Sequence, residues 1–136
     1  MIMSLKRIYV NDDVAHRLSL LKSRTGLTPN LSCRIGFCLS LEEPGIPDER
    51  LYSDTQAREF NRYTLTGQWD SYFFALLKER LVNDGLDPDA DLEGQFKAHL
   101  SRGVLLLSQR LRKLEDIGDL VTRSQERQHK VEEIGD

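Results

Sequence analysis

The first apolar positions of the chain alternate roughly every second residue. The segment Leu5–Val10 is β-prone, and its Ile8 and Val10 share one face. The opposite face carries Leu5, Arg7 and Tyr9. This alternation predicts a short strand with an apolar inner side and a more polar outer side.

Two helices are predicted after this strand. Asn11 precedes two acids, a sequence that suits the positive end of a helix, and Gly26 is placed to end that helix. Its apolar positions at helical spacing are Val14, Leu18 and Leu21, with Leu20 beside them. Thr28-Pro29 starts the second helix, because proline favours the first helical position after a hydroxyl cap. The buried stripe predicted for this helix is Leu31, Ile35, Cys38 and Leu39, before a break at residues 42–47.

The rest of the chain predicts a helical body. Residues 48–66 give a weak pattern, in which Arg62–Thr66 has strand character and Gly67 closes the segment. A third helix is predicted over Trp69–Asn83 and a fourth over Pro88–Asp116. The positions expected to be buried in the third helix are Trp69, Phe73, Leu76, Leu77 and Leu81, with Tyr72 beside them. Those of the fourth are Leu92, Phe96, Leu100, Val104, Leu107, Leu111 and Leu114.

These elements predict a mainly α fold in one domain over residues 1–121, followed by a polar tail at 122–136. A module of one short strand and two helices, residues 5–41, is expected to pack on a body of two longer helices, residues 68–118. The order strand, helix, short turn, helix is the layout of a ribbon-helix-helix module, one of the β-ribbon readers of DNA. A small α/β hairpin with cationic side chains is the alternative that the pattern leaves open.

The predicted strand needs a partner, because a lone strand leaves backbone N–H and C=O groups unpaired. The partner is either the same strand of a second subunit, which makes an obligate dimer, or Arg62–Thr66 of the same chain, which permits a monomer. Because residues 48–66 give a weak signal, we expect the two-chain ribbon.

The composition of the chain argues against membrane-spanning and secreted proteins. The chain has 136 residues, of which 39% are hydrophobic and 30% charged, as expected for one folded domain. The longest aliphatic run, Val104–Leu107, is far too short for a membrane span, and no secretion signal opens the chain. We therefore expect a cytoplasmic protein without a membrane partner.

No metal or other cofactor is predicted. Cys33 and Cys38 are too few for a thiolate site and do not share a helix face, so we expect both to fill the core. The acids at 87–93 imitate the start of a calcium loop, but Leu92 and Ala98 stand where such a loop needs glycine and glutamate. We expect these acids to lie in the first turn of a helix. The histidines are scattered at His16, His99 and His129.

Charge is distributed unevenly along the chain. The net charge is −3, but residues 1–41 carry six basic and two acidic side chains, whereas the remainder carries thirteen basic and twenty acidic ones. A basic N-terminal module on an acidic body suggests an anionic partner at one end. An ordinary solvated surface is the alternative interpretation.

Four sequence blocks resemble the DndE family. They are Arg-Leu-Ser-Leu-Leu-Lys-Ser-Arg-Thr-Gly-Leu-Thr-Pro-Asn at 17–30, Arg-Ile at 34–35, Ser-Leu-Glu-Glu-Pro-Gly at 40–45, and Phe-Asn-Arg-Tyr-Thr-Leu-Thr-Gly at 60–67. The resemblance extends over residues 3–121. It does not include the tail.

This resemblance implies a role in DNA phosphorothioation, in which sulfur replaces a non-bridging oxygen of the DNA backbone. In such systems a cysteine desulfurase and an iron–sulfur partner carry out the sulfur chemistry. The small DndE-like member binds DNA, with a preference for nicked duplex, and some members are described as nicking supercoiled DNA. The expected partners are therefore double-stranded DNA, the other Dnd modification proteins and further copies of this chain.

The resemblance, carried over by position, puts a cationic surface on Arg17, Lys22 and Arg24, with Arg34 in support. The alternative is a solvated helix end, because cations are favourable there regardless of function. The strand–helix–helix layout adds the ribbon cations and the backbone N–H groups at the start of the second helix. The predicted DNA contacts are Lys6, Arg7, Arg17, Lys22, Arg24, Thr28 and Arg34. The acidic body departs from the lysine-rich character of the family, so we expect a small binding face.

Two other functions compete with a binding subunit. One is a DNA-nicking enzyme, for which no metal site is visible and Tyr9 and Tyr63 are the conceivable nucleophiles. The other is a ribbon-helix-helix repressor that recognises a palindromic operator. The long acidic body argues against a repressor, since such proteins are often little more than the module.

Overall fold

The fold is mainly helical, with a two-stranded sheet near the N-terminus, as the sequence predicts. A computed structural model describes residues 5–111, 118 and 120–126. In chain order the elements are β1 (Arg7–Val10), α1 (Asp12–Thr25), α2 (Pro29–Glu42), β2 (Arg58–Asn61), α3 (Arg62–Thr66), α4 (Asp70–Asn83) and α5 (Leu92–Arg110). Short 3₁₀ turns lie at Glu49–Tyr52 and Gly67–Trp69, and residues 120–126 are helical. Residues 127–136 of the predicted tail lie outside the described residues.

The N-terminal ribbon forms within one chain. Strand β1 pairs antiparallel with β2, so that Ile8 lies opposite Phe60 and both side chains are buried. Val10 is buried on the same inner face, as its alternation with Ile8 predicts. The expectation that a second subunit supplies the partner strand is therefore wrong. The alternative partner, Arg62–Thr66, is also misplaced, because the pairing strand is the segment just before it.

The segment Arg62–Thr66 forms helix α3 because Asn61 caps it. The Asn61 side chain accepts hydrogen bonds from the backbone N–H groups of Tyr63 and Thr64, at 3.0 and 3.1 Å. Such a cap outweighs the β propensity of the segment, which is a weak preference.

The buried Arg62 fastens the ribbon to α4. Its guanidinium donates to both carboxylate oxygens of Asp70, with Nε and Nη2 at 3.0 and 2.8 Å from them. A third donor, Nη1, reaches the Leu5 carbonyl at 3.2 Å, and the guanidinium carbon lies 4.2 Å from the centre of the Phe74 ring. Because each of its three nitrogens donates one hydrogen bond and Asp70 carries the opposite charge, the buried charge is compensated.

Helix α1 matches the sequence prediction closely. The Asn11 side chain accepts from the Val14 N–H at 3.0 Å, and Gly26, at φ 81°, ends the helix by donating to the Lys22 carbonyl. Its predicted apolar positions Val14, Leu18 and Leu21 are fully buried.

Helix α2 buries a different face from the one predicted. Its buried residues are Ser32, Cys33, Gly36, Phe37 and Ser40, whereas Leu31 and Cys38 are exposed. The cause is a close approach of α2 to α5 at a pair of glycines. A Cβ added at Gly36 would lie 2.7 Å from the carbonyl carbon of Gly103, so only small side chains fit between these helices. The prediction that Cys33 fills the core is confirmed, and the same prediction for Cys38 is wrong.

Helix α4 also turns its apolar residues differently from the prediction. Phe74, Leu77 and Leu81 are buried, while Phe73 is half-buried. The predicted core positions Trp69, Tyr72 and Leu76 are exposed. Helix α4 carries apolar residues on more than one face, so periodicity alone does not identify the buried one.

Helix α5 runs through the core, and its predicted stripe is buried from Leu92 to Leu111. The helix begins at Leu92 rather than at residue 88, and it ends at Arg110, where Leu111 adopts an extended conformation. Leu114, the last predicted position of the stripe, lies outside the described residues.

The acids before α5 form a hydrogen-bonded turn. An Asp87 carboxylate oxygen accepts from the N–H groups of Ala90 and Asp89, at 3.0 and 2.8 Å, and these bonds lower the pKa of Asp87. Asp91 in turn accepts from the Asp87 N–H at 2.9 Å. The aspartates at 87, 89 and 91 therefore lie in the turn just ahead of α5 and not in its first turn, whereas Glu93 lies in the first turn as predicted.

Candidate nucleic-acid interface

The cations of α1 lie beside the end of α5. Arg17 and Arg24 are two helical turns apart and, as their spacing predicts, they meet on one face. Together with Ser108 and Gln109 of α5 they line an open pocket of about 400 Å³, here called the α1–α5 pocket. The structure thus brings two of the predicted cations to one concave site.

Arg17 is held in place from both helices. Its Nε lies 3.5 Å from Asp13 one turn earlier, and its Nη1 donates to the Ser108 hydroxyl at 3.4 Å. Its side chain is 42% exposed, so the guanidinium is anchored yet open to solvent. This anchoring restricts the side chain before any ligand arrives, which lowers the entropy cost of binding.

Lys22 and Arg24 lie exposed at the C-terminal end of α1. No carboxylate of the described residues pairs with either side chain. Gly26 turns the chain directly into α2, so these cations lie next to the positive N-terminal end of that helix. The cations of α1 and the N-terminal end of α2 therefore contribute positive potential to the same part of the surface, against the negative dipole at the C-terminal end of α1.

Thr28 caps helix α2, so its hydroxyl is already engaged. The Thr28 Oγ accepts from the Leu31 N–H at 3.3 Å. Because Pro29 has no N–H and the Leu31 N–H already donates to Thr28, this helix end offers a ligand its dipole and the Asn30 N–H, fewer donors than the sequence predicts.

Arg34 is engaged elsewhere in the fold. Its Nε donates to the Leu65 carbonyl at 2.6 Å and its Nη2 to the Thr64 carbonyl at 3.3 Å, so the guanidinium satisfies backbone acceptors of α3. The structure does not place its guanidinium in the α1–α5 pocket, which leaves Arg34 a structural role.

The ribbon cations occupy a more neutral surface. Arg7 is 69% exposed and pairs with Glu59 on the neighbouring strand at 3.1 Å, while Lys6 is exposed. Tyr9 is half-buried and lines a second pocket that also includes Glu93 and Lys97. The outer face of the ribbon therefore carries acids beside its cations.

Two further arginines, both half-buried, donate to backbone carbonyls. Arg80 and Arg102 both donate to carbonyls at the end of α2, with Arg80 Nη1 2.8 Å from the Leu41 oxygen and Arg102 Nη2 2.8 Å from that of Ser40. Beside them His99 is fully buried, with its Nδ1 2.8 Å from the Ser40 hydroxyl. Burial, together with the nearby charges of Arg102 and Arg80, lowers the pKa of His99 to about 4, so this ring is neutral at pH 7.

The residues that could bind a metal or act as nucleophiles do not form a cluster within the described part of the chain. Within the described part of the chain, no three His, Cys, Asp or Glu residues are grouped so that they could hold a metal ion. Tyr63 is exposed, and the guanidinium nearest its ring, that of Arg62, is committed to Asp70. Over the same residues, no helix is long and apolar enough to cross a membrane.

Sequence reasoning did not find Ser108 and Gln109. They follow the buried Leu107 at the end of α5, and nothing in the local pattern marks them. Only the packing of α1 on α5 shows that they face the cations.

Comparison with known proteins identifies the family and the fold. A sequence model of the family "DNA sulphur modification protein DndE" matches residues 7–114. No curated protein matches the chain. The fold is similar to the crystal structure of DndE from Escherichia coli B7A, described as involved in DNA phosphorothioation modification, with TM-score 0.62 and 24% identity over 78% of this chain and 99% of that one.

The fold is also similar to that of a DndE mutant in which two glycines are replaced by lysine, likewise described as involved in DNA phosphorothioation. Here the TM-score is 0.60 and the identity 21%, over 77% of this chain and 99% of that chain. Because the family model matches well over half of the residues, the chain belongs to the DndE family of DNA sulfur modification proteins.

Proposed function

We propose that this protein is a DNA-binding subunit of the phosphorothioation system and contacts the duplex through the α1 surface, defined as Arg17, Lys22 and Arg24. The observation that carries the proposal is that Arg17 and Arg24 meet on one face of α1, at whose end Lys22 and Arg24 directly precede the start of α2. Phosphates are the ligands that such an arrangement favours. Backbone recognition of this kind is largely independent of base sequence.

The remaining predicted contacts have smaller parts in this proposal. Lys6 and Arg7 lie on the ribbon, where Glu59 offsets the charge of Arg7. Arg34 supports the fold through α3 rather than touching DNA. The binding face is therefore small, which agrees with the acidic character of the rest of the chain.

The proposal also includes a preference for nicked duplex, association with the other Dnd modification proteins and a cytoplasmic location, where this DNA is found. It further includes assembly into a homo-oligomer. Since the ribbon closes within one chain, such an assembly does not need strand exchange. Light scattering over a range of concentrations gives the mass of the assembly directly.

A salt titration tests the DNA surface. We expect replacement of Arg17, Lys22 and Arg24 together by Ala to weaken binding to intact and nicked duplexes alike. Each lost phosphate contact reduces the slope of log affinity against log salt concentration by about 0.9, so the slope falls by up to about 2.7. The matched control is Arg50→Ala, because Arg50 is 90% exposed but lies outside the α1 surface and pairs with Asp48. A triple variant that keeps the parent affinity and slope would overturn the proposal.

Nicking is tested on the same proteins. Because the described residues contain no grouped metal ligands, we expect any cleavage of supercoiled plasmid to come from a co-purified nuclease. Such cleavage would stay unchanged in the triple variant while DNA binding falls. Cleavage that decreases in step with binding, in preparations of high purity and in the presence of EDTA, would favour a nicking enzyme.

A further inference from the structure

The α1–α5 pocket is concave, which a surface that only follows the outside of a duplex does not require. Its volume of about 400 Å³ falls in the range of small-ligand sites. It is larger than a phosphate group alone needs, and it is open to solvent on one side. We propose that this pocket binds the terminal phosphate of a DNA strand end, a phosphate monoester. This inference rests on the proposed DNA-binding function and names the ligand of the same site.

The described residues that line the pocket all carry hydrogen-bond donors. Arg17 uses Nε toward Asp13 and Nη1 toward Ser108, which leaves Nη2 for a ligand. Arg24 has no carboxylate partner among the described residues, so its fork is available for bidentate contact with phosphate oxygens. The lining therefore presents two positive charges from α1.

Helix α5 completes the site with neutral donors. Ser108 is 7% exposed and its hydroxyl accepts from Arg17; a hydroxyl that accepts keeps its own O–H, which is the donor that Ser108 offers to a ligand held by that arginine. The Gln109 amide, exposed at the rim, adds two further donors. Because the donors come from two helices, they can reach one ligand from two sides. This arrangement suits a compact group with several acceptor oxygens.

A terminal phosphate meets these requirements better than a backbone phosphate does. A phosphate monoester carries about −1.5 to −2 charges at pH 7 and three acceptor oxygens, whereas a diester carries one charge. A strand end can also leave the outline of the duplex and enter a recess. The phosphates of a continuous strand are held on the convex outside of the helix, where they reach only the rim of the pocket.

Two nicked duplexes of identical sequence provide the test, one with a 5′-phosphate at the nick and one with a 5′-hydroxyl. We expect the 5′-phosphate to raise affinity by about tenfold, as one additional charge-assisted contact does. Ser108→Ala combined with Gln109→Ala is expected to bring the ratio of the two affinities close to one. Lys22→Ala, which lies outside the pocket lining, is expected to weaken both duplexes and to preserve the ratio. Thermal unfolding of each variant checks that the fold is intact.

The outcomes separate this inference from the proposed function. If the protein binds both duplexes equally and Lys22→Ala weakens both, the backbone surface stands and the terminal-phosphate site is refuted. If the protein binds neither duplex, the proposed function fails, and titration of thymidine 5′-monophosphate against thymidine, followed by amide NMR shifts, still examines the pocket. Shifts at α1 and at Ser108 with the monophosphate alone would support the site, and equal shifts with both compounds would overturn it.

Discussion

The contact between Gly36 and Gly103 is the place where the smallest substitution should have the largest effect on stability. These residues lie where α2 packs on α5, and a Cβ on Gly103 would overlap the Gly36 carbonyl group. Alanine is favoured over glycine inside a helix by about 1 kcal/mol, so the substitution gains that amount in propensity. The obstacle is backbone on both sides, which cannot rotate away, and relieving it requires the two helices to separate.

Separation would loosen a core that includes the fully buried Val104 and the nearly buried Phe37. Overpacking of this kind costs about 1–3 kcal/mol or more, and the loss of neighbouring contacts adds to it. We therefore expect Gly103→Ala to lower the free energy of unfolding by about 2–3 kcal/mol after the gain in propensity. Urea denaturation followed by circular dichroism measures this change, and the m-value shows whether the folded state stays compact.

Gly94→Ala is the matched control, because it lies in the same helix. A Cβ there meets only the carboxylate end of the Glu49 side chain, which can rotate aside, although Glu49 also accepts from Gln95 at 2.9 Å. The propensity gain then roughly offsets the disturbed hydrogen bond, and we expect a change within about 1 kcal/mol. If Gly103→Ala proves as stable as this control, the close approach of α2 and α5 is not as described.

Three further predictions concern buried groups. Asp70→Asn should lower the free energy of unfolding by about 3–5 kcal/mol, because it removes the charge that compensates buried Arg62. A loss of less than about 1 kcal/mol in urea denaturation would contradict this. His99 should make stability fall as the pH is lowered from about 6.5 to 4, by up to about 3 kcal/mol, because the unfolded chain takes up a proton that the folded ring resists. This part of the pH profile should flatten in His99→Gln, and an unchanged profile would assign the effect to other groups. Iodoacetamide should modify exposed Cys38 much faster than Cys33, since burial raises the pKa of the Cys33 thiol to about 12, and mass spectrometry of the labelled protein tests this order.

The sequence was most informative where local chemistry decides the structure. The limits of α1 follow from a capping side chain at Asn11 and a left-handed glycine at Gly26, and both act within a few residues of themselves. The stripe of α5 was also predictable, because a helix through the core is apolar at regular spacing.

Prediction failed where a distant partner decides which face is buried. Helix α2 buries Ser32 and Gly36 in preference to Leu31, since the approach to Gly103 admits only small residues. Nothing within α2 reveals that requirement, and a hydrophobicity pattern gives the wrong face. Likewise Arg62 looks like part of a strand until Asp70 and the Asn61 cap are seen around it.

The candidate site, likewise, was predictable only where local spacing decides the arrangement. The shared face of Arg17 and Arg24 follows from helical spacing alone. The contribution of Ser108 requires the position of α5 against α1, which is a tertiary contact. When a site combines residues of two helices that are far apart in sequence, the sequence alone predicts only the residues that share one helix face.

The division of cations between the interior and the surface makes net charge a poor guide to binding in this protein. Four arginines donate to internal acceptors: Arg34, Arg62, Arg80 and Arg102. Charge counted along the chain includes these groups, whereas in the proposed function DNA contacts the α1 surface instead. Arginine variants should consequently fall into two classes. Arg80→Ala should lower the unfolding temperature, because it removes the donor to the Leu41 carbonyl and the shorter of the two arginine contacts to the Glu43 carbonyl, while the salt dependence of DNA affinity stays as in the parent. Arg24→Ala should reduce the salt dependence of DNA affinity and leave the unfolding temperature as in the parent. Measuring the unfolding temperature and the salt slope of both variants tests this division. An Arg80 variant with a reduced salt slope and an unchanged unfolding temperature would place DNA at Arg80 instead of at the α1 surface.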